Sequence, residues 1–311
     1  MYIRDMSIGD QIEGFFLLQD AYAKTTMGGK PFLSMALSDC TGTIDAQIWD
    51  YTGPITRNDI GAVVKIRGTA SEFKGTLQIT LDRLRLTDSN DQYNIRDLVP
   101  TAPIDVEATW QKLQEIIETI ADQDYGLICR EMLKRYGEKV KSLPAAKSIH
   151  HSFLNGLLMH TTHMLQTADF LAGMYESVID RSLLIAGTLL HDFAKCKEFT
   201  TSPLGLVTDY SMKGQLLGHL VMGAHEVANV ASELHVPEEK SVLLQHLILS
   251  HHGEPEFGAA VRPMCAEGEL LSFIDMIDSR MEIYRETLEE VPAGEFSQRI
   301  FALERRIYHH N

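Results

Sequence analysis

The sequence predicts two architectures in one chain: a five-stranded β-barrel over residues 1–88, a linker over 89–105 and an all-α domain over 106–311. Three observations carry this. Apolar residues alternate with period two in the first stretch and recur at i, i+3, i+4 in the last. The histidines and aspartates that could hold a metal gather in the helical stretch. A chain of 311 residues is long enough for both parts to bury a core.

Composition narrows the class. Hydrophobic content of 44% and charged content of 23% are ordinary globular values. No apolar run reaches membrane-spanning length, and MYIRDMSIGD lacks a signal-peptide core. The four cysteines, Cys40, Cys129, Cys196 and Cys265, are scattered and read as free thiols, so a reducing cytoplasm is the expected location. The net charge of −15 is uneven: residues 1–88 carry 9 Lys+Arg against 11 Asp+Glu, residues 89–311 carry 19 against 32. A general polyanion-binding coat is excluded, whereas a local groove of opposite sign is not.

In the first part, Gln11–Leu18 alternates loosely and Asp20–Lys30, with its Gly28-Gly29, reads as a turn. Leu33, Met35 and Leu37 share one side of the next strand, and Ile44, Ala46 and Ile48 one side of the third. Val63–Ala70 and Thr76–Leu86 follow, separated by Lys74-Gly75. Five such strands in under about 90 residues suit a closed barrel of the OB type. If those apolar sets fill the barrel, Phe32 and Trp49 point outward, and so do Lys65 and Arg67. Outward aromatics beside basic groups form a stacking surface for single-stranded nucleic acid. The plainer reading is that Phe32 and Trp49 pack on the neighbouring domain.

Residues 89–105 are polar with two prolines and read as a linker or a surface strap. Trp110, Leu113, Ile116, Ile117 and Ile120 then begin a helical pattern. Longer helices are expected over 150–175, 180–195, 213–234, 238–251 and 267–290, and a last one over 294–309. Arg130, Lys134, Arg135, Lys139, Lys141 and Lys147 form a basic segment, read either as a solvated helix face or as a guide for a nucleic-acid backbone.

Among 13 histidines, His309 and His310 are terminal, and His235 and His246 are isolated. The others fall in SIHHSFLNGLLMHTTHM (His150-His151, His160), GTLLHDFAKCKE (His191-Asp192), QLLGHLVMGAHEV (His219) and LLQHLILSHHGE (His251-His252). Asp275 and Asp278 lie one helical turn apart in IDMIDS. Polar groups that interrupt apolar helices need partners, and a divalent metal pairs a buried imidazole with a carboxylate.

The order His160, His191-Asp192, Asp275 resembles the H…HD…D signature of the HD-domain metal-dependent phosphohydrolases. That resemblance implies one metal on these four residues, a second on His219, His251 and His252, and a phosphate contact at Lys195, which matches the HDxxK extension. With a barrel ahead of PAAKSIHHSFLNGLLMHT, HDFAKCKEF, GQLLGHL, ILSHHGEPEFGAAVRP and IDMIDS, the chain is similar to the YhaM-type 3′–5′ exoribonucleases over nearly its whole length. It departs at Phe193-Ala194, where Leu-Gly is common, and at Ser272, where His is frequent; neither is a ligand position. The resemblance assigns Asp275 to the metal, leaving Asp278 at the substrate side or behind a ligand. It implies release of nucleoside 5′-monophosphates from a 3′ end.

Two metals would clamp the phosphoryl oxygens, with Asp192 as the natural bridge and Lys195 neutralising a non-bridging oxygen. Mixed imidazole and carboxylate donors favour Mn²⁺, Fe²⁺, Co²⁺ or Zn²⁺ over Mg²⁺, and the resemblance tips this towards Mn²⁺. Arg262, after His252, is a further phosphate candidate, and Cys196 reads as a packing residue. The expected partner is single-stranded RNA, with single-stranded DNA and a homo-oligomer left open. The competing readings are a phosphohydrolase for a nucleotide or signalling nucleotide, with the barrel as a regulatory module, and a non-catalytic nucleic-acid-binding protein.

Overall fold

The computed structural model describes residues 1–146, 153–202 and 204–311. They form two compact units: Met1–Thr101 with Thr201–Leu206, and Ala102–Thr200 with Val207–Asn311. No helix of the described residues is long and apolar enough to cross a membrane.

The first unit is a closed barrel of β1 (Gln11–Thr25), β2 (Pro31–Asp39), β3 (Gly42–Trp49), β4 (Val63–Phe73) and β5 (Thr76–Leu86), in the order β1-β2-β3-β5-β4. Only β3 and β5 run parallel. Leu33, Met35, Leu37, Ile44, Ala46, Val64, Ile66, Ile79 and Leu81 fill the interior. Most of the turn expected over Asp20–Lys30 is strand. β1 pairs with β4 through Gln11–Leu17 and with β2 through Leu17–Thr25, so it must be long and must bend between them. A register shift between Leu18 and Asp20 supplies the bend. The reversal itself is confined to Thr26–Lys30, closed by the Lys30 carbonyl accepting from the Thr26 N–H at 2.9 Å.

The stretch expected as a linker contains a short helix, α1 (Ile95–Leu98), whose Leu98 is buried and whose Asp97 carbonyl accepts from the Cys40 N–H. The boundary between the units falls at Thr101/Ala102. Before α1, the carboxylate of Asp91 takes both arms of the Arg85 guanidinium at 2.6 and 2.7 Å and is held down to about 2 by that bond.

The second unit is helical: α2 (Val106–Glu118), α3 (Gln123–Ser142), α4 (Gly156–Met174), α5 (Arg181–Leu190), α6 (Lys195–Glu198), α7 (Met212–Glu233), α8 (Glu238–Ser250) and α9 (Ala266–Glu290). A hairpin of β6 (Phe199–Thr201) and β7 (Val207–Tyr210) separates α6 from α7. α5 is the centre. Asp180 caps its start by accepting from the Ser182 and Leu183 N–H groups, and every residue from Ser182 to Leu190 is buried. A helix apolar all round belongs in a core, and α5 packs against α3, α4, α8 and α9.

The final helix expected over 294–309 does not form. Bridges Phe296↔Tyr308 and Ile300↔Arg305 fold this segment into a hairpin around the one-turn helix Phe301–Leu303. Gly294 and Glu304 sit at φ +84° and +54°, which breaks a right-handed helix at both places. The spacing of Phe296, Ile300, Leu303 and Ile307 imitates a helical face, but only Leu303 and Ile307 are buried.

Gly68 is where barrel closure is tightest. A Cβ there would lie 2.4 Å from the Thr80 carbonyl oxygen and 2.9 Å from Leu81 Cα, beside a register shift between β4 and β5. Gly68→Ala is therefore expected to cost about 1–3 kcal/mol. The readout is a lower urea midpoint by Trp49 fluorescence in a Trp110→Phe background, with Gly28→Ala, at an open turn, within about 0.5 kcal/mol of the parent.

Candidate metal centre

Two histidines of the centre are helix ends. His191 closes α5 and His251 closes α8. The last carbonyls of a helix lack partners inside it. In both cases the ring curls back: His191 Nδ1 donates to the Thr188 carbonyl at 2.8 Å, and His251 Nδ1 to the Ile248 carbonyl at 2.8 Å. A carbonyl only accepts, so each Nδ1 carries a proton, and the Nε2 of the neutral ring presents a lone pair. Both rings are fully buried.

Two more histidines are set by carboxylates. His160, buried in α4, has Nδ1 2.7 Å from Asp278 Oδ2, while its Nε2 faces His191 Nε2 at 3.2 Å and Asp275 Oδ1 at 3.5 Å. Asp275 and Asp278, one turn apart on α9, thus address opposite sides of one ring. His163 Nδ1 also reaches Asp278, at 3.2 Å. His219 is set by Glu198, whose Oε1 accepts from the His219 backbone N–H at 2.9 Å and lies 3.1 Å from its Nδ1. This requires a break in α7: Gly218 sits at φ +70°, ψ 163°, turning the chain so that the next residue points inward. Both ends of the β6–β7 excursion are pinned to the same place, since Ser211 N–H donates to the Glu198 carbonyl at 2.7 Å and its hydroxyl to the Lys197 carbonyl at 2.8 Å.

Asp192 lies in the middle. Its Oδ2 is 3.3 Å from His191 Nε2 and 2.6 Å from Lys195 Nζ; its Oδ1 is 3.4 Å from His219 Nε2 and 3.9 Å from His251 Nε2. Burial opposes its charge, yet the Lys195 ammonium and His191 hold its carboxyl well below the usual range. Burial likewise opposes the charge on Lys195 and His191, and the Asp192 carboxylate raises both. Burial lowers His251 and His252, which keeps them neutral, the state in which an imidazole ligates.

The donors group in threes within 4.8 Å: His160, His191 and Asp275; His219, His251 and His252; His191, Asp192 and His251. Asp192 Oδ1, His219 Nε2, His251 Nε2 and His252 Nδ1 are buried without a hydrogen-bond partner. An unmet buried polar atom costs about 1–3 kcal/mol. Three of them, Asp192 Oδ1, His219 Nε2 and His251 Nε2, lie together, with His252 grouped beside the two imidazoles, and fit a divalent metal. His160, Asp192, Lys195, His251, His252 and Asp275 line a cleft of about 330 Å³.

Other expected residues lie elsewhere. Arg262 is exposed and its Nε bonds Glu254 at 2.7 Å, outside the cleft lining. Arg130, Lys134, Arg135 and Lys141 pair with acidic neighbours and Lys139 bonds the Cys196 carbonyl. Lys147, His150 and His151 are outside the described residues. Cys196 is buried, and His246 accepts from the Met264 N–H at 2.9 Å. On the barrel, Phe32 and Trp49 are register partners with ring centroids 4.8 Å apart, and Trp49 is 48% exposed. Lys65 and Arg67 line a groove of about 500 Å³ with Arg83 and Arg85, their register partners on β5.

Glu198, Arg83 and Arg85 were not singled out from the sequence. The arginines had a signal, because LDRLRL places them two apart on the same side of a strand. Glu198 had only its place at the end of HDFAKCKE, with nothing to say that the chain returns to it 21 residues later.

An HD domain model matches residues 161–280. The 3′–5′ exoribonuclease YhaM of Oceanobacillus iheyensis is 35% identical over 305 residues, covering 97% of this chain and 95% of that protein. The protein of the same name from Bacillus licheniformis is 36% identical over 309 residues, with the same coverage of 97% and 95%. Among solved structures, a domain of replication protein A from Methanococcus maripaludis is similar at 20% identity and a TM-score of 0.23, over 28% of this chain and 92% of that one. With this identity sustained through both the barrel and the helical unit, the chain belongs to the YhaM family of 3′–5′ exoribonucleases, hydrolases built on an HD domain.

Proposed function

We propose that this chain is a metal-dependent exoribonuclease that removes nucleoside 5′-monophosphates from the 3′ end of single-stranded RNA. The observation that carries the reading is the convergence of buried, partnerless nitrogen and oxygen atoms on one cleft in a chain similar along its length to 3′–5′ exoribonucleases. His160, His191, Asp192 and Asp275 would hold one metal, and His219, His251 and His252 a second. The split of Asp192, with Oδ2 towards His160 and His191 and Oδ1 towards His219 and His251, supports a bridging role. The donor set suits Mn²⁺, Fe²⁺, Co²⁺ or Zn²⁺, and Mn²⁺ is our choice. Bound there, the metal supplies Lewis-acid chemistry that lowers the cost of charge on the phosphoryl oxygens.

The remaining roles fall to the chain itself. Asp278 and Glu198 hold the Nδ1 protons of His160 and His219, and so aim the opposite nitrogens inward. Lys195, one turn beyond Asp192, neutralises a non-bridging phosphate oxygen. On the barrel, Phe32 and Trp49 stack on bases. Arg67 and the opposite Arg83 are like charges facing each other across a strand pair, which an RNA backbone relieves, while Arg85 beside Lys65 already holds Asp91.

With 5′-labelled RNA and Mn²⁺, the expected result is a ladder shortening from the 3′ end, with 5′-monophosphates as product. His191→Ala and Asp192→Asn are expected to slow it by at least about 100-fold, beyond what loss of an outer partner costs; normal trimming by either would end the metal-centre argument. The same assay on DNA gives the preference between the two polymers. Phe32→Ala with Trp49→Ala is expected to weaken RNA binding by about 1–3 kcal/mol for each stacked base lost, read by fluorescence anisotropy. Glu198→Ala removes the fixed proton acceptor behind His219 and is expected to lower metal affinity by about 10–100-fold, measured by competition with a chelating dye.

A further inference from the structure

The cleft contains a second cation that the scheme above does not use. One side of α9 supplies Ser272, Asp275, Met276, Ser279 and Arg280 to its lining. Lys195, the other cation there, is buried and held at 2.6 Å by Asp192. Arg280 is exposed, and among the described residues it makes no ion pair and no side-chain hydrogen bond. It stands five residues past Asp275, about 7.5 Å further along the helix axis. A guanidinium presents a planar fork of donors suited to two oxygens of one phosphate.

Which phosphate it meets follows from direction. The phosphodiester to be cut must lie at the buried donors, where Lys195 and Asp192 are. On the 3′ side of that bond stands a single nucleotide ending in a hydroxyl, with no further phosphate. Everything else in the polymer lies on the 5′ side and has to leave through the open part of the cleft. A free cation at that rim therefore faces the upstream chain.

We propose that Arg280 is a binding subsite for the internucleotide phosphate one step upstream of the scissile one, with the exposed Phe257 and Met276 as the apolar flank for the nucleotide between them. This rests on the exoribonuclease reading. It gives the enzyme a preference for substrates that continue on the 5′ side, independent of base identity.

The test compares the dinucleotides NpN and pNpN, which differ only in the 5′ phosphate that would occupy the subsite. The quantity read is the ratio of kcat/KM for pNpN over NpN within one enzyme preparation, so the fraction of active protein cancels. In the parent protein the ratio is expected to be about tenfold or more. In Arg280→Gln it is expected to fall to near one, and in Arg280→Lys, which keeps the charge but loses the fork, to lie between. A parent ratio near one, or a ratio that survives in Arg280→Gln, overturns the proposal. Bis(p-nitrophenyl) phosphate serves as a separate probe of the metal centre. If the parent protein hydrolyses it in Mn²⁺ but cleaves neither RNA nor dinucleotides, the exoribonuclease reading itself fails and takes the subsite with it.

Discussion

The bond from His191 Nδ1 to the Thr188 carbonyl is small and local, yet the arrangement of the centre depends on it. α5 is enclosed by four other helices, so its C-terminal carbonyls cannot turn to water. The ring of the next residue meets one of them. In doing so it fixes its own tautomer and drives its second nitrogen into the space between α4, α8 and α9. His251 repeats the device at the end of α8. Two helix ends that needed a donor have become two aimed lone pairs, without any residue added for the purpose. The orientation is inherited from the packing of the core and is as rigid as that core.

The carboxylates complete this in two distinct ways. Asp192 accepts the electrostatic load of the centre, and its charge is sustained in a buried place by Lys195 on one side and imidazoles on the other. Asp278 and Glu198 stand behind His160 and His219 and reach the outer nitrogens of their rings. Proton-bearing nitrogens point outward and bare ones inward, and it is this polarity, rather than the number of histidines, that makes the cluster suited to a cation.

Much of this was legible in the sequence. Period-two alternation marked the barrel because half of each strand faces a closed interior, and it placed Phe32 and Trp49 outside. Apolar runs ending in His191-Asp192 and His251-His252 marked the centre because a polar pair at the end of a buried helix must be partnered. The hairpin at 294–309 was hidden, since Phe296, Ile300, Leu303 and Ile307 keep helical spacing and only the left-handed Glu304 betrays the turn. Arg262 followed a promising histidine pair but turned to Glu254, a choice made by loop geometry. Glu198 was hidden for the opposite reason: its partner is brought back by the Gly218 break, a tertiary event with no local periodicity.

That return path has a consequence for how the chain tolerates change. The excursion between α6 and α7 leaves from Glu198 and re-enters at Ser211, where two hydrogen bonds join its ends before His219 is reached. His219 is therefore positioned by the neck of the excursion. The entropy of closing such a loop grows only with the logarithm of its length, about 0.6 kcal/mol per doubling. A change in the length of the excursion therefore costs little in closing it, while the placement of His219 is set at Glu198 and Ser211.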